Sequence, residues 1–157
     1  MSAFSETRNI ELSSIYYLET QIGISWTGIT VVKTFLSAYD NTLPVVCIRL
    51  YDTSNKPLEV GSTTLLDTHR INIDIFATSD GQRIDLADFI TDKLKDGWIY
   101  YTHSHPVGDN TTLTRTSAGR ISVKDWNTNT RVDFGDEVSN PDKFRHFIQV
   151  GVKAGII

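Results

Sequence analysis

Between Ile10 and Ile22 the apolar side chains Leu12, Ile15, Leu18 and Ile22 recur at threes and fours, the spacing of one helical face. Asn9 is placed to cap its start and Gly23 to break it. Helical spacing resumes at Trp26, Ile29, Val32, Lys33 and Leu36, against the low helix propensity of Thr30-Val31-Val32, and predicts a second helix there. Val45 to Tyr51 is apolar on both faces, as a central strand would be. A turn cluster, Asp52 to Pro57, and an extended connection that includes Leu58 to Ser62 lead to the next strand. From His69 the period is two, with Ile71, Ile73 and Ile75 on one side and Arg70, Asn72 and Asp74 on the other. These two strands read as an antiparallel ribbon.

Ser79-Asp80-Gly81 offers caps for a central helix whose stripe is Ile84, Ala87, Phe89, Ile90 and Leu94. Asp85, Asp88, Asp92 and Lys95 fall outside that stripe, and Gly97 closes the helix. Strands are expected at Trp98–His103, Thr112–Thr116, Arg120–Trp126 and Thr130–Phe134, the last two flanking Asn127-Thr128-Asn129 as a hairpin. Phe144, His146, Ile148, Val150 and Val152 alternate over a final strand. The expectation is a single α+β domain over residues 1–157. N-terminal helices and one central helix pack on a mostly antiparallel twisted sheet, with a β-hairpin extension.

Composition narrows the function classes. With 157 residues and 39% hydrophobic side chains the chain can bury a core of its own. A formal net charge of −4 gives no general attraction to nucleic acid. Cys47 is the only cysteine, so no internal disulfide is available. Residues 1–12 lack a signal-peptide pattern, and no stretch reaches the roughly 18–20 apolar residues of a membrane span. The expected place of synthesis is the cytoplasm.

One segment carries a chemical signal. His103-Ser104-His105-Pro106 puts two imidazoles on one face at the end of a strand, a geometry zinc accepts. It resembles the His-x-His-Pro element of the JAMM metallopeptidases, which would make His103 and His105 weak candidate metal ligands. That family also implies a Ser-x-x-Asp after the proline and an upstream glutamate as base. Here Ser117-Ala118-Gly119 is followed by Arg120, and Glu59 is the only glutamate between Glu19 and Glu137. Asp109 would serve as third ligand only through a different loop geometry. The alternative is a polar loop after a strand, with Gly108-Asp109-Asn110 as turn chemistry. His69 and His146 read as hydrogen-bonded core or interface residues, and Cys47 as an inert buried thiol. No catalytic residue and no cofactor is expected.

The order of segments is more informative. Pro44-Val-Val-Cys-Ile-Arg-Leu50, Leu58-Glu-Val-Gly-Ser62, Ile71-Asn-Ile-Asp-Ile-Phe-Ala77 and Gly81-Gln-Arg-Ile-Asp-Leu-Ala-Asp-Phe-Ile90 follow one another. This series resembles the small head–tail junction proteins of tailed bacteriophages, above all the tail-terminator and neck family. The resemblance covers about residues 10–95, and the C-terminal strands by order alone. It implies a homo-oligomeric ring, commonly a hexamer, that caps the tail tube and docks to the head connector, with a neck adaptor as the alternative role. DNA would only pass through the lumen, no membrane is involved, and the protein would move from host cytoplasm to virion. Trp98, Tyr100, Trp126 and Phe147 are the expected interface residues, because large aromatics concentrate at interface centres. The polar segment 103–119 reads as a long loop that orders on assembly.

Overall fold

The structure is a computed structural model and describes residues 2–57, 65–109, 111–132 and 144–156. After a two-residue strand β1 (Ser2–Ala3), helix α1 runs from Glu6 to Ser25. Ser5, not Asn9, caps it: the Ser5 hydroxyl accepts from Arg8 N at 3.3 Å. Asn9 lies one turn inside the helix and is buried. Gly23 does not end α1, which closes when Trp26 N donates to Ile22 O at 2.8 Å. The row turned fully inward is Ile10, Ser14, Leu18 and Ile22, while Leu12 and Ile15 are only half-buried.

The expected second helix over 26–36 is replaced by two shorter pieces. Gly28 takes a positive φ of 74°, Thr30–Val32 becomes strand β2, and only Phe35–Asp40 is helical (α2). Three consecutive β-branched side chains fit a pleated edge better than a helix. The long strands β3 (Val45–Pro57) and β4 (Leu65–Phe76) pair antiparallel, with Ile48 opposite Ile73. Helix α3 spans Asp80–Lys95, its N-terminal Gln82 N donating to the Ser79 hydroxyl at 3.2 Å. Its buried stripe is Arg83, Leu86, Ala87, Ile90 and Leu94, so Ile84, expected inside, is instead 44% exposed.

Gly97 ends α3 with φ 76°, its N–H donating to Leu94 O at 3.1 Å. A Cβ there would stand 2.5 Å from Ile121 O, a backbone atom that has no room to yield. Gly97→Ala therefore combines a left-handed penalty with a clash, and a loss of about 2 kcal/mol or more is expected. In thermal unfolding this lowers the midpoint by roughly 4–8 °C; an unchanged midpoint would contradict the close approach.

Strands β5 (Trp98–His105), β6 (Thr114–Val132) and β7 (Arg145–Ile156) complete the sheet. The expected hairpin at Asn127–Asn129 does not form, and the strands anticipated at 112–116, 120–126 and from 130 onward belong to one continuous β6. The chain absorbs surplus residues there as bulges, between Val123 and Asp125 and between Trp126 and Thr128. Asn129, expected in a turn, instead bonds Thr91 at 3.2 Å and His146 at 2.6 Å, and a long partner in β7 outweighs local turn preference. Likewise the expected loop 103–119 is strand at both its ends: β5 runs to His105, β6 begins at Thr114, and pairing reaches Ser104↔Thr114. The expected connection at 58–62 and residues 133–134 lie outside the described residues.

The strand order is β1-β5-β6-β7-β4-β3-β2, parallel only between β2 and β3. This is an α+β fold in which three helices accompany a curled, mixed sheet. The main apolar cluster fills the space between one sheet face and α1 with α3, through Ile10, Leu18, Ile48, Ile73, Ile90 and Ile148 among others. A smaller cluster of Ala38, Val45, Cys47 and Phe76 lies under α2 on the other face.

Curling has a direct cause in α1, which packs against both β5 and β3. Four strand spacings separate those strands, about 19 Å in a flat sheet, wider than a helix of about 10–12 Å. Ser13 Oγ accepts from Tyr101 N at 2.9 Å and donates to Tyr101 O at 3.3 Å, and Asn9 Oδ1 accepts from His103 N at 3.0 Å. On the opposite flank, Glu11 accepts from Leu50 N at 2.8 Å and pairs with Lys33 at 2.6 Å. One helix thus ties down the outer edges of two distant strands and blunts both against further pairing.

Candidate functional site

The histidine pair is occupied by structural bonds. His103 is buried; its Nδ1–H donates to Asn9 Oδ1 at 3.0 Å, and Nε2 accepts from Arg115 Nε at 3.3 Å. Both ring nitrogens are therefore engaged. His105 donates Nδ1–H to Thr112 O at 2.8 Å and meets the Phe4 ring edge-on, centroids 5.1 Å apart. Asp109 faces its own turn, where the Thr112 side chain and then the N–H groups of Thr111 at 2.8 Å and Thr112 at 3.1 Å hold its carboxyl well below the ordinary range. Ser117 sits in β6 opposite Tyr101. No group of three or more potential metal-ligating side chains occurs among the described residues. The strand-end chemistry anchors α1 to the β5–β6 hairpin instead.

The other histidines are bonded in the same neutral way. His146 Nδ1 accepts from Arg83 Nη1 at 2.8 Å while Nε2–H donates to Asn129, which fastens the start of α3 to β7. His69 Nδ1 bonds the Thr53 hydroxyl at 2.9 Å across the ribbon. Burial pushes His69, His103 and His146 below their ordinary values, helped by Arg115 and Arg8 at His103 and by Arg83 at His146. Unfolding frees all three to protonate near about pH 6.5, so the unfolded chain binds more protons and stability is lost as the pH is lowered through that region. Asp74, pushed up mainly by burial, has the opposite slope, but begins from a carboxylate's ordinary value near about 4. A lower urea midpoint at pH 5.5 than at pH 7.5 is expected; an equal or higher one would contradict the neutral bonding.

The four aromatic residues expected at an interface separate into two groups. Trp98 and Tyr100 are each 2% exposed inside the subunit. Trp98 stacks on Tyr17 at 5.6 Å and donates Nε1–H to Ser14 Oγ at 3.1 Å; Tyr100 OH accepts from Asn9 Nδ2 at 3.3 Å. Their faces are used up in the core. Trp126 is 44% exposed on β6, and Phe147 is half-buried on β7. Cys47 is buried, its thiol pushed up to about 11 by burial and then by Asp74.

What stands out as unfinished is the far end of the β3–β4 ribbon. Beyond His69, residues Leu65–Thr68 pair only with Pro57–Ser54, because β7 stops pairing with β4 at His69↔Val152. On the other side β2 covers only Val45–Cys47. Among the described residues, then, a two-stranded ribbon projects past the sheet. Its root is held by the Arg70–Asp52 pair and the His69–Thr53 bond, and its shaft by Asn55–Asp67. Tyr51, 58% exposed, lies beside Arg70 at the root. No hairpin forms at 127–129, where one was expected; the projecting strands are 52–57 and 65–68.

The polar residues that fasten α1 to β5 escape the sequence pattern. Asn9, Ser13 and Ser14 break the apolar stripe of α1, yet are buried because their partners are strand backbone, a serine–tryptophan bond and a tyrosine hydroxyl far along the chain. The available signal was three small polar side chains flanking Ile10 on one helical face. No helix among the described residues is long and apolar enough to cross a membrane. No family model matches the chain, and no curated protein matches it.

Proposed function

We propose that this chain is a structural virion-assembly protein of a tailed bacteriophage. It forms a homo-oligomeric ring, a hexamer, at the head-proximal end of the tail. As a tail terminator it ends polymerisation of the tube and docks to the head connector. It works through protein contacts rather than an active site. The observation that carries this reading is the projecting ribbon. A two-stranded ribbon is marginal in water by itself and exposes unpaired backbone along both edges. Elsewhere α1 blunts the sheet's edges with Asn9, Ser13 and Glu11. Surface for sheet-like contact is present at 52–57 and 65–68, and again along the outer edge of β6 beyond Ile121, where β5 ends; a neighbouring copy gives the ribbon cover. Repeated around an axis, such a one-way contact closes a ring. A net charge of −4 suits a lumen through which DNA slides without being held.

Electron microscopy of the purified protein mixed with growing tail tubes of the parent phage tests the reading. Rings seated at one tube end, with growth halted there, are the expected result. Tubes that lengthen as fast with the protein as without it would overturn it.

A further inference from the structure

Two stretches of sheet edge lack a neighbouring strand, and they lie at opposite corners of the sheet. The first is on β6. Strand β5 pairs with β6 only as far as Trp98↔Ile121, so 122–132 is held by β7 on one side alone. Among the described residues no other backbone-to-backbone bond reaches 122–132. Residues 124–127 and 129–131 are exposed. Beyond the two bulges the register is unbroken from Thr128↔Gln149 to Val132↔Arg145. The second stretch is on β3. Strand β2 stops at Val32↔Cys47, and Glu11 of α1 takes the Leu50 N–H at 2.8 Å, which leaves 52–57 bare on that side. It too keeps one register, from Asp52↔Arg70 to Pro57↔Leu65.

The two stretches match in direction, position and face. Three antiparallel steps, β3 to β4 to β7 to β6, make β6 run opposite to β3. The 52–57 stretch extends past the end of β4–β7 pairing at His69↔Val152, whereas 128–132 lies at the other end of β7, against 145–149. A second copy displaced along the strands, with its helices on the same side, therefore lays its β6 edge antiparallel beside the first copy's β3 edge. Ser54 lies opposite Thr68, and Thr128 and Thr130 lie opposite Gln149 and Phe147, all on the sheet face turned away from α1 and α3. Asn129 and Arg131 are on the helical face, where they meet Thr91 and Asp80. Pairing of β3 with β3, or of β6 with β6, would close a dimer and leave the other stretch bare. Pairing of β3 with β6 covers both with one contact.

We propose that 52–57 of β3 in one copy pairs antiparallel with 128–132 of β6 in the next, so that the sheet continues from copy to copy. The ribbon thereby gains the third strand that a two-stranded pair needs in water. Main-chain hydrogen bonds, rather than an apolar patch, supply the contact. Each copy has one edge to give and one to receive, which is the condition for a ring. The inference rests on the ring reading and names the contact that builds it.

Oxidative cross-linking of the full chain tests it, with Ser54→Cys combined in turn with Thr128→Cys, Thr130→Cys or Arg131→Cys. Within one copy Ser54 and these positions stand at opposite ends of the sheet, so a disulfide forms only between copies. Ser54, Thr130 and Arg131 are exposed, and an unchanged circular dichroism spectrum checks that the fold survives. Cys47 is buried and does not compete. The Thr128 or the Thr130 combination is expected to give a covalent ladder up to the whole ring. Its yield should exceed that of the Arg131 combination, on the other face, by roughly tenfold. Each single variant is expected to stay uncross-linked. Rings that form without such a ladder, or with equal yield from the Arg131 combination, overturn this contact and leave the ring reading standing. Covalent dimers from Ser54→Cys alone would mean that ribbons pair with each other, which overturns it as well. A reduced chain that stays monomeric at every concentration, alone and with tail tubes, overturns both.

Discussion

Asn9→Leu is expected to lower the thermal midpoint by about 10 °C. Asn9 is 3% exposed and serves four groups at once. Its Oδ1 accepts from His103 N and His103 Nδ1, each at 3.0 Å, and its Nδ2 donates to Phe4 O at 3.2 Å and Tyr100 OH at 3.3 Å. Leucine matches the volume but leaves two buried donors on His103 without an acceptor. Each stranded buried group costs about 1–3 kcal/mol, so a total of roughly 3–5 kcal/mol is expected. For a chain of this size each kcal/mol moves the midpoint by about 2–4 °C. Ser13→Ala, which strands only the Tyr101 backbone at the same edge, is expected to cost less. If both variants melted with the parent protein, α1 would not be the clamp that curls the sheet.

Arg145→Met is expected to cost about 3–5 kcal/mol, because it leaves Asp74 buried without its cation. Asp74 is fully buried on the sheet face under α2, and Arg145 Nη2 donates to its Oδ1 at 2.9 Å while the guanidinium covers the Phe76 ring at 5.0 Å. Burial already raises the Asp74 carboxyl, and Arg145 and then Arg49 pull it back. Removing Arg145 raises it further, so the folded variant takes up a proton more readily. Its deficit is therefore larger at pH 8 than at pH 5. Replacing both partners with apolar side chains, Asp74→Leu with Arg145→Met, is expected to recover most of the loss, since desolvation of the charges is then avoided. Denaturant titrations of the parent chain and the two variants at both pH values measure this. A double variant as unstable as the single would mean that the pair is not the relevant unit.

These two sites also mark the limits of what the chain's pattern reveals. The alternation of Ile71, Ile73 and Ile75 locates β4 and its inward face, and Gly97 locates the end of α3, because each signal is local and geometric. The helix expected at 26–36 misled because its apolar spacing is helical while Thr30-Val31-Val32 prefers a pleat, and a parallel partner in β3 decided the matter. Asn127–Asn129 misled in the opposite sense: a good turn sequence is drawn straight by pairing with β7. Burial of Asn9 and Ser13 depends on strand residues some ninety positions away, a relation no window of sequence contains. The same distance explains Trp98 and Tyr100, whose aromatic character suits a core as well as an interface. Only the fold places them under α1.

The most direct measurement is the native mass of the unmodified chain over a wide range of concentration, by sedimentation or native mass spectrometry. A discrete species of six subunits, growing from monomer without populated pentamers or open-ended polymers, is the result the ring account predicts. A monomer at every concentration, alone and with tail tubes present, would contradict it.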